Sequence, residues 1–475
     1  MLQIKFYIEN LNFFEVYSST LEIAVIFVTI VIIVMGIIRL YFLSTSRNST
    51  FSKKVYGNPL VSIHLPICNE PPKLVLKTIE SVEKLQYSNF ELLIISNNTL
   101  DKNLWKPIEE KIADLDHRFK FLHKDKIKGF KAGALNYGLG YTNSSANYIF
   151  TLDADYVLNK DAIDVAIGTI QKMEVDLLQF PQSYRNISPE TNGVEINYKH
   201  YFDCYLSSKK SAILALPTGT LTLIDTKVFN NGYLWPTDSI TEDASLGVDL
   251  VSRKMKIAFC NYIIGKGTMP TESKDYSKQF KRWVFGNFQV LAKVWKVNGI
   301  SIMNKIHLST LLTAWLNLLG FVFLILFLAI PLLIIGTHTG ETIFYTGLSA
   351  IALHCLFQFF IFNKIAGYNL KKGWNGFLIH LGLLEIGSFY WMNYFVSKNK
   401  PFIRTNKFIA PVSSTNKLYI FPLIVFALGI ICFLNQYNIL GVVICAFSIQ
   451  LIYAKFHKDQ EIIWSKFNLY KKSKK

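Results

Sequence analysis

Charge is scarce in this chain of 475 residues: 17% are Asp, Glu, Lys or Arg, where a soluble domain carries about 25%. That scarcity excludes an ordinary water-soluble globule. The 51% hydrophobic and 15% aromatic content excludes a disordered chain. Cysteine is sparse and scattered. Cys68, Cys204, Cys260, Cys355, Cys432 and Cys445 show no C-x-x-C or Cys/His spacing, so reduced structural thiols are expected rather than a zinc site or a disulfide framework. No aromatic-basic RNA motif or DNA-reading helix accompanies the net charge of +17, and no nucleic acid is expected as a partner. The apolar run at 23–43 is too long for a signal-peptide core and lacks a small-residue cleavage site.

What is present is a set of long uncharged runs with basic flanks. A span needs about 20 apolar residues, and 23–43 qualifies, with Arg39 near one end placed to snorkel. Residues 55–300 have globular composition. Further apolar stretches follow at 308–336, 342–363, 374–396, 418–435 and 438–454, then a basic tail over 455–475. Arg39, Arg47, Lys53 and Lys54 follow the first run, which by the positive-inside bias puts 55–300 in the cytoplasm and 1–22 outside. If 374–396 crossed the membrane, the basic segment 398–417 would lie outside. The stretch also contains Asn375, His380, Glu385 and Asn393, so it is expected to lie as an interfacial helix on the cytoplasmic face. Five spans, at 23–43, 308–336, 342–363, 418–435 and 438–454, satisfy every connection, and the lipid bilayer is the first expected partner. The stretch 308–336 exceeds one span, which implies tilt or an interfacial start.

Within 55–300, short apolar runs alternate with helical periodicity. Strands are expected at Val61–Pro66, Phe90–Ile95, Phe119–Leu122, Tyr148–Leu152 and Val175–Phe180, with helices between them. Such alternation predicts a mostly parallel sheet flanked by helices, whose ligands bind beyond the carboxyl ends of the strands.

The fourth strand runs into Asp153-Ala154-Asp155, a pair able to hold Mg²⁺ or Mn²⁺ together with a diphosphate. The same spacing in Asp114-Leu115-Asp116 lies in a helical pattern and reads as a solvated face. Lys131 and Gly133 open a helix where a phosphate charge would be balanced, although, taken alone, a small-residue helix packed on the sheet is the preferred explanation. Glu242-Asp243 open another helix, as a dipole-favoured first turn or as a general base near a metal. Gln279, Arg282 and Trp283 share one helix face, where Arg forks onto a pyrophosphate and Trp offers a sugar a flat surface. Trp and Arg beside a bilayer are also common.

Taken in order, Pro66-x-x-Asn69-Glu70, Lys131-Ala-Gly-x-x-Asn136, Asp153-x-Asp155, Thr241-Glu242-Asp243 and Gln279-x-x-Arg282-Trp283, followed by spans, resemble the processive family 2 membrane glycosyltransferases of the cellulose, chitin and hyaluronan synthase type. Phe402-x-x-Thr405-x-Lys407 is similar to that family's gating loop, which stays cytoplasmic after an interfacial helix. The resemblance implies a GT-A α/β domain inserted into an α-helical transmembrane domain, multi-pass in the plasma (inner) membrane. It implies Asp153 and Asp155 as the Mg²⁺ or Mn²⁺ and UDP pair, Lys131 as a diphosphate contact, and Asp243 as general base beside Glu242. Gln279 and Arg282 would bind the donor, and Trp283 with Thr218, Gly219 and Thr220 the acceptor.

Two departures stand out. Ser96-Asn97-Asn98-Thr99 replaces an Asp-Asp-Gly, and Cys68 replaces an aromatic, so Asn69, Glu70, Asn97 and Asn98 are assigned to the donor on position alone. The Asn97–Asn136 region resembles bacterial β-glucan synthases, implying UDP-glucose as donor and a growing β-glucan as product, with accessory subunits or a homo-oligomer compatible with the family. Transfer to a lipid-linked acceptor, a hyaluronan-, chitin- or mannan-type product, and a non-catalytic nucleotide-sensing membrane scaffold are the competing expectations. Trp315, Phe321 and Phe323 are expected as packing or lipid-facing aromatics, with a role in lining a polymer channel as the alternative.

Overall fold

The computed structural model describes residues 2–46, 50–211, 213–397 and 419–473. The segment expected to act as a gating loop, with Phe402, Thr405 and Lys407, lies outside the described residues.

Among the described residues, nine strands form between Leu60 and Lys266: β1 (Leu60–Ile67), β2 (Phe90–Asn97), β3 (Phe119–Lys124), β4 (Ala146–Thr151), β5 (Val157–Leu158), β6 (Leu177–Gln179), β7 (Thr222–Asp225), β8 (Ile257–Phe259) and β9 (Gly265–Lys266). Seven of them build one sheet in the order β3-β2-β1-β4-β7-β6-β8, and β5 pairs with β9 in a separate ribbon. β1, β2, β3 and β4 are mutually parallel where they pair, as are β6 and β8. β2 is buried along its whole length and β1 nearly so, because helices cover both faces; this is why they read as continuous apolar runs instead of alternating ones. The five expected strands are present. β7 was not expected from the sequence, and it runs antiparallel to both β4 and β6. Its four residues, Thr-Leu-Ile-Asp, are too short to signal a strand by periodicity.

β7 has a consequence for the site. It pairs Thr151 with Thr222, and Leu221 N–H donates to Thr151 O at 2.8 Å, so the turn entering β7 lies against the tip of β4. Asp114 and Asp116 flank the start of β3, where Asp116 pairs with Arg118 at 2.8 Å, as a solvated face would.

Among the described residues, three helices are long and apolar enough to cross a membrane: Phe14–Ser44, His338–Ile365 and Asn438–Lys466. Leu319–Leu328 and Ile420–Leu434 are apolar but shorter. The apolar stretch 308–336 is not one helix. Ile302–Leu312 ends in a turn over 313–318, and Leu319–Leu328 and Ile330–Ile334 follow. Segment 374–396 is likewise broken, into Leu370–Gly382, Leu384–Phe389 and Asn393–Val396. Its first piece packs on helix Asn192–Lys199 of the sheet-bearing region, where Asn375 Nδ2 donates to Asn192 Oδ1 at 2.9 Å.

Arg39 does not snorkel. It is 4% exposed, and its Nη2 donates to Thr313 O at 2.8 Å and Leu316 O at 3.1 Å. The helix break leaves both carbonyls without i+4 helical partners; Leu316 N–H reaches Thr313 O at 3.1 Å, and the guanidinium adds a bond to each.

Candidate active site

The carboxyl ends of β1, β2 and β4 open into one cavity of about 570 Å³. It collects Asn69 and Glu70 after β1, Asn97 and Asn98 at the end of β2, and Asp153 and Asp155 after β4. Lys131, Thr218, Gly219, Glu242, Asp243, Gln279, Arg282 and Trp283 complete it. Of the sequence-predicted donor, acceptor, metal and catalytic residues, only Thr220 is not on its wall, and it stands directly behind: its Oγ1 accepts from Asp153 N at 3.0 Å.

Lys131 is the centre of the charge arrangement. Its Nζ lies 2.6 Å from Asp153 Oδ1 and 4.0 Å from Glu242 Oε1, and donates to Gly219 O at 2.7 Å. Burial pulls this ammonium down, but the carboxylates of Asp153 and Glu242 outweigh it and hold it above the usual lysine value. Asp243 behaves in the opposite way. Burial, then the neighbouring Glu242, push its carboxyl up to about 7, against the opposing pull of Lys131, the Ala244 N–H and Arg282. A carboxyl poised near neutrality inside a cavity is suited to accept a proton from a hydroxyl.

Glycines make this proximity feasible. Gly219 has φ +81°, and a Cβ there would stand 2.9 Å from Asp243 Oδ2 and 3.2 Å from Lys131 Nζ. A Cβ at Gly133 would collide with the Lys128 carbonyl, so the Lys131 helix needs glycine to leave its preceding turn. Asn136, last of the Lys-Ala-Gly-x-x-Asn run, has a supporting role. Its Oδ1 accepts from Trp235 N at 2.8 Å and its Nδ2 donates to Trp235 O at 3.0 Å, tying the Lys131 helix to the segment that leads into Glu242-Asp243.

The two asparagines that replace the acidic pair have structural work at the rim. Asn97 Nδ2 donates to Ile67 O at 3.0 Å; Asn98 Oδ1 accepts from Ile127 N at 2.8 Å, and its Nδ2 donates to Ile127 O at 3.1 Å. Asn69 and Asn98 both hold positive φ, +51° and +49°, a strain that concentrates at ligand sites.

Four contributors were not singled out from the sequence. Gln179, fully buried, accepts from Thr218 N at 2.8 Å and Thr222 Oγ1 at 2.7 Å and donates to Thr220 O at 2.9 Å, so it shapes the Thr218–Thr220 turn. Gln182 and Tyr184 line the cavity just past the end of β6, where the strand-end rule would have pointed had the strand's exact end been known. Tyr198 lies against Trp283 and donates to Gln279 Oε1 at 2.6 Å. Trp315, by contrast, was expected from the sequence as a packing or lipid-facing aromatic with a lining role as the alternative; in the turn at 313–318 it lines the cavity and stacks on Trp283 with centroids 5.3 Å apart at 30°. Phe321 instead packs edge-on against Trp391, and Phe323 against Phe421.

The fit to a metal is partial. Asp153 Oδ1 holds Lys131, and Asp155 Oδ2 accepts from Thr268 N at 3.2 Å. Among the described residues no group of three or more His, Cys, Asp or Glu is arranged to hold a cation. Two carboxylates suit Mg²⁺ or Mn²⁺ that arrives with a diphosphate, because such a cation takes its remaining ligands from phosphate oxygens and water.

Comparisons with known proteins bear on the family and the fold. Residues 62–231 match the model described as glycosyl transferase family 2, and 148–363 the one described as glycosyl transferase family group 2. A poly-β-1,6-N-acetyl-D-glucosamine synthase of Staphylococcus epidermidis is 28% identical over 231 residues, 48% of this chain and 54% of that protein. The synthase of the same name from Staphylococcus aureus is 27% identical over 269 residues, 55% of this chain and 63% of that protein. The chain thus spans about half the length of the curated relatives it matches. The mannosyltransferase PcManGT from Pyrobaculum calidifontis, solved with GDP-Man and Mn²⁺, superposes with a TM-score of 0.51 at 15% identity, covering 77% of this chain and 99% of that one. That likeness is one of fold: a GT-A-like domain with a mostly parallel sheet between helices. In two overlapping parts, residues 62–231 and 148–363, the chain is thus similar to the family 2 glycosyltransferases.

Proposed function

We propose that this protein is an inverting, processive glycosyltransferase that extends a β-linked polysaccharide from a UDP-sugar and passes it across the membrane it spans. The observation that carries the reading is the single cavity in which Asp243, poised near neutrality, faces the Lys131–Asp153 pair and adjoins Gln279, Arg282 and a tryptophan wall.

In the proposed reaction the hydroxyl at the end of the growing chain loses its proton to Asp243, and its oxygen attacks the anomeric carbon of the donor. The bond from that carbon to the diphosphate breaks with inversion, and UDP leaves with the electron pair. Lys131 and Arg282 balance the negative charge that appears on the departing diphosphate. Mg²⁺ or Mn²⁺, held by Asp153 and Asp155, supplies further charge neutralisation when bound. Trp283 and Trp315, stacked on each other, form an aromatic wall of the cavity against which the terminal sugars lie. Thr218 and Gly219 border the same space, behind which Thr220 holds the turn.

UDP-glucose is the proposed donor and a β-glucan the proposed product, on the resemblance of the Asn97–Asn136 region. UDP-N-acetylglucosamine is a second reading, favoured by the names of the Staphylococcus relatives. The membrane topology proposed is five spans with the catalytic region cytoplasmic; the three long apolar helices support it. Incubating the purified full-length protein with individual radiolabelled UDP-sugars, followed by linkage and size analysis of the product, tests all of this. A polymer of one β-linked hexose is expected. Short lipid-linked sugars, or no UDP release with any donor, would overturn the reading.

A further inference from the structure

We infer that Arg39, on the long N-terminal apolar helix, is a positioning residue for the acceptor: it fixes the helix break that holds Trp315 against Trp283. The inference rests on the reading of the cavity as a transferase site whose tryptophans meet the acceptor.

Three observations converge. Helix Ile302–Leu312 stops inside an apolar stretch that would otherwise continue to Gly336, and Trp315 occupies the turn so created. Such a break leaves the last carbonyls without their i+4 helical partners; the turn's own Leu316 N–H reaches Thr313 O at 3.1 Å, and further protein groups complete the bonding. Arg39 does so from a distant part of the chain. One nitrogen, Nη2, bonds both Thr313 O and Leu316 O, the residues two before and one after Trp315. The positive charge also sits at the carboxyl end of helix Ile302–Leu312, where the peptide dipoles favour a cation.

The other side of the turn is held separately. Asn317 N donates to Gly387 O at 3.1 Å, and Ser388 Oγ donates to Asn317 Oδ1 at 2.8 Å. A Cβ on Gly387 would stand 2.9 Å from the Trp315 carbonyl, so the two segments meet at the closest approach a backbone allows. Trp315 is thereby fixed from both flanks, with its ring stacked between Trp283 at 5.3 Å and Tyr201 at 5.9 Å. A buried cation is costly in an apolar layer and is retained where it serves a site. Here the charge of the first apolar helix is spent on the shape of the tryptophan wall, which makes that helix part of the acceptor site and more than an anchor.

The test compares wild type with Arg39→Met, Arg39→Lys and Trp315→Ala, each as full-length protein in lipid nanodiscs. It follows three readouts: donor hydrolysis without acceptor, elongation of a short β-linked oligosaccharide, and hydrogen exchange of the amides at 313–319. Arg39→Met is expected to raise the acceptor KM about 10- to 100-fold, the scale of a misplacement of about 1 Å, and to leave donor hydrolysis within about twofold. Exchange at 313–319 should accelerate, Arg39→Lys should recover part of both effects, and adding Arg39→Met to Trp315→Ala should raise KM little further. Unchanged exchange at 313–319 in Arg39→Met overturns the inference, as does an equal loss of hydrolysis and elongation in Arg39→Lys. Failure of the wild type to elongate any sugar acceptor would instead overturn the transferase-polymerase reading, while the exchange measurement still reports on Arg39.

Discussion

If Asp243 is the base, the rate must follow its ionisation, and the structure says which neighbours set that ionisation. Burial and Glu242 raise its carboxyl to about 7, while Lys131 and Arg282 oppose them. With a midpoint there, the ionised fraction is about one-tenth at pH 6 and about nine-tenths at pH 8, so kcat/KM for elongation should rise about tenfold across that interval. Two substitutions should move the midpoint in opposite directions. Glu242→Gln removes the neighbouring negative charge and should shift the rising limb to lower pH. Lys131→Met removes the nearest opposing cation and should shift it to higher pH, on top of a general loss of rate because the diphosphate loses a contact. Asp243→Asn should leave a residual rate about 10²–10⁴-fold lower, the usual share of a general base, and no rising limb at all. The assay is initial-rate UDP release at acceptor concentrations well below KM, in buffers of constant ionic strength from pH 5.5 to 8.5. A flat wild-type profile from pH 6 to 8, or a Glu242→Gln limb displaced upward, would refute the assignment of Asp243.

The same carboxyl predicts a stability effect. Its folded pKa lies above the unfolded value of 3.8, so the folded protein binds the proton more tightly and loses stability as pH rises from about 4 to 7. Asp243→Asn should therefore melt above wild type at pH 8, with the gap narrowing toward pH 5, by thermal unfolding in detergent. Gly219→Ala should cut kcat severely with the fold intact by circular dichroism, because its Cβ would crowd Asp243 and Lys131 at a positive φ. Gln179→Leu leaves the Thr218 N–H without its acceptor, at a cost of about 1–3 kcal/mol, and the Thr222 hydroxyl with only Thr220 O, 3.2 Å away. A lowered Tm together with a disproportionate fall in kcat is expected, and a normal kcat would show that the Thr218–Thr220 turn does not depend on it. Asn136→Ala should lower Tm by releasing both bonds to Trp235, and should slow turnover more than it weakens UDP binding measured by calorimetry.

Much of the site was legible because its parts sit at strand ends. The apolar runs beginning at Val61, Phe90 and Tyr148 are strong local signals, and the residues that follow each are carried to the same edge of a parallel sheet. That is why Asn69, Asn97 and Asp153 share a cavity though nearly ninety residues separate the first from the last. Arg39 shows the opposite case. Charge at the end of an apolar run reads as snorkelling unless one knows that a second helix breaks beside it.

The amino-acid sequence by itself determined the alternation of strands and helices, the order of the motifs and the apolar segments, since each is written in local periodicity and composition. Only the tertiary structure decided that β7 runs antiparallel against β4 and β6. That reversal carries the Thr218–Thr220 turn to the tip of β4 and sets Gly219 between Lys131 and Asp243. It also decided the poise of Asp243 and the partners of Arg39. The physical reason is the same in each case. Burial, the field of neighbouring charges and the satisfaction of a freed carbonyl depend on groups up to 277 residues away, and no local pattern encodes their approach.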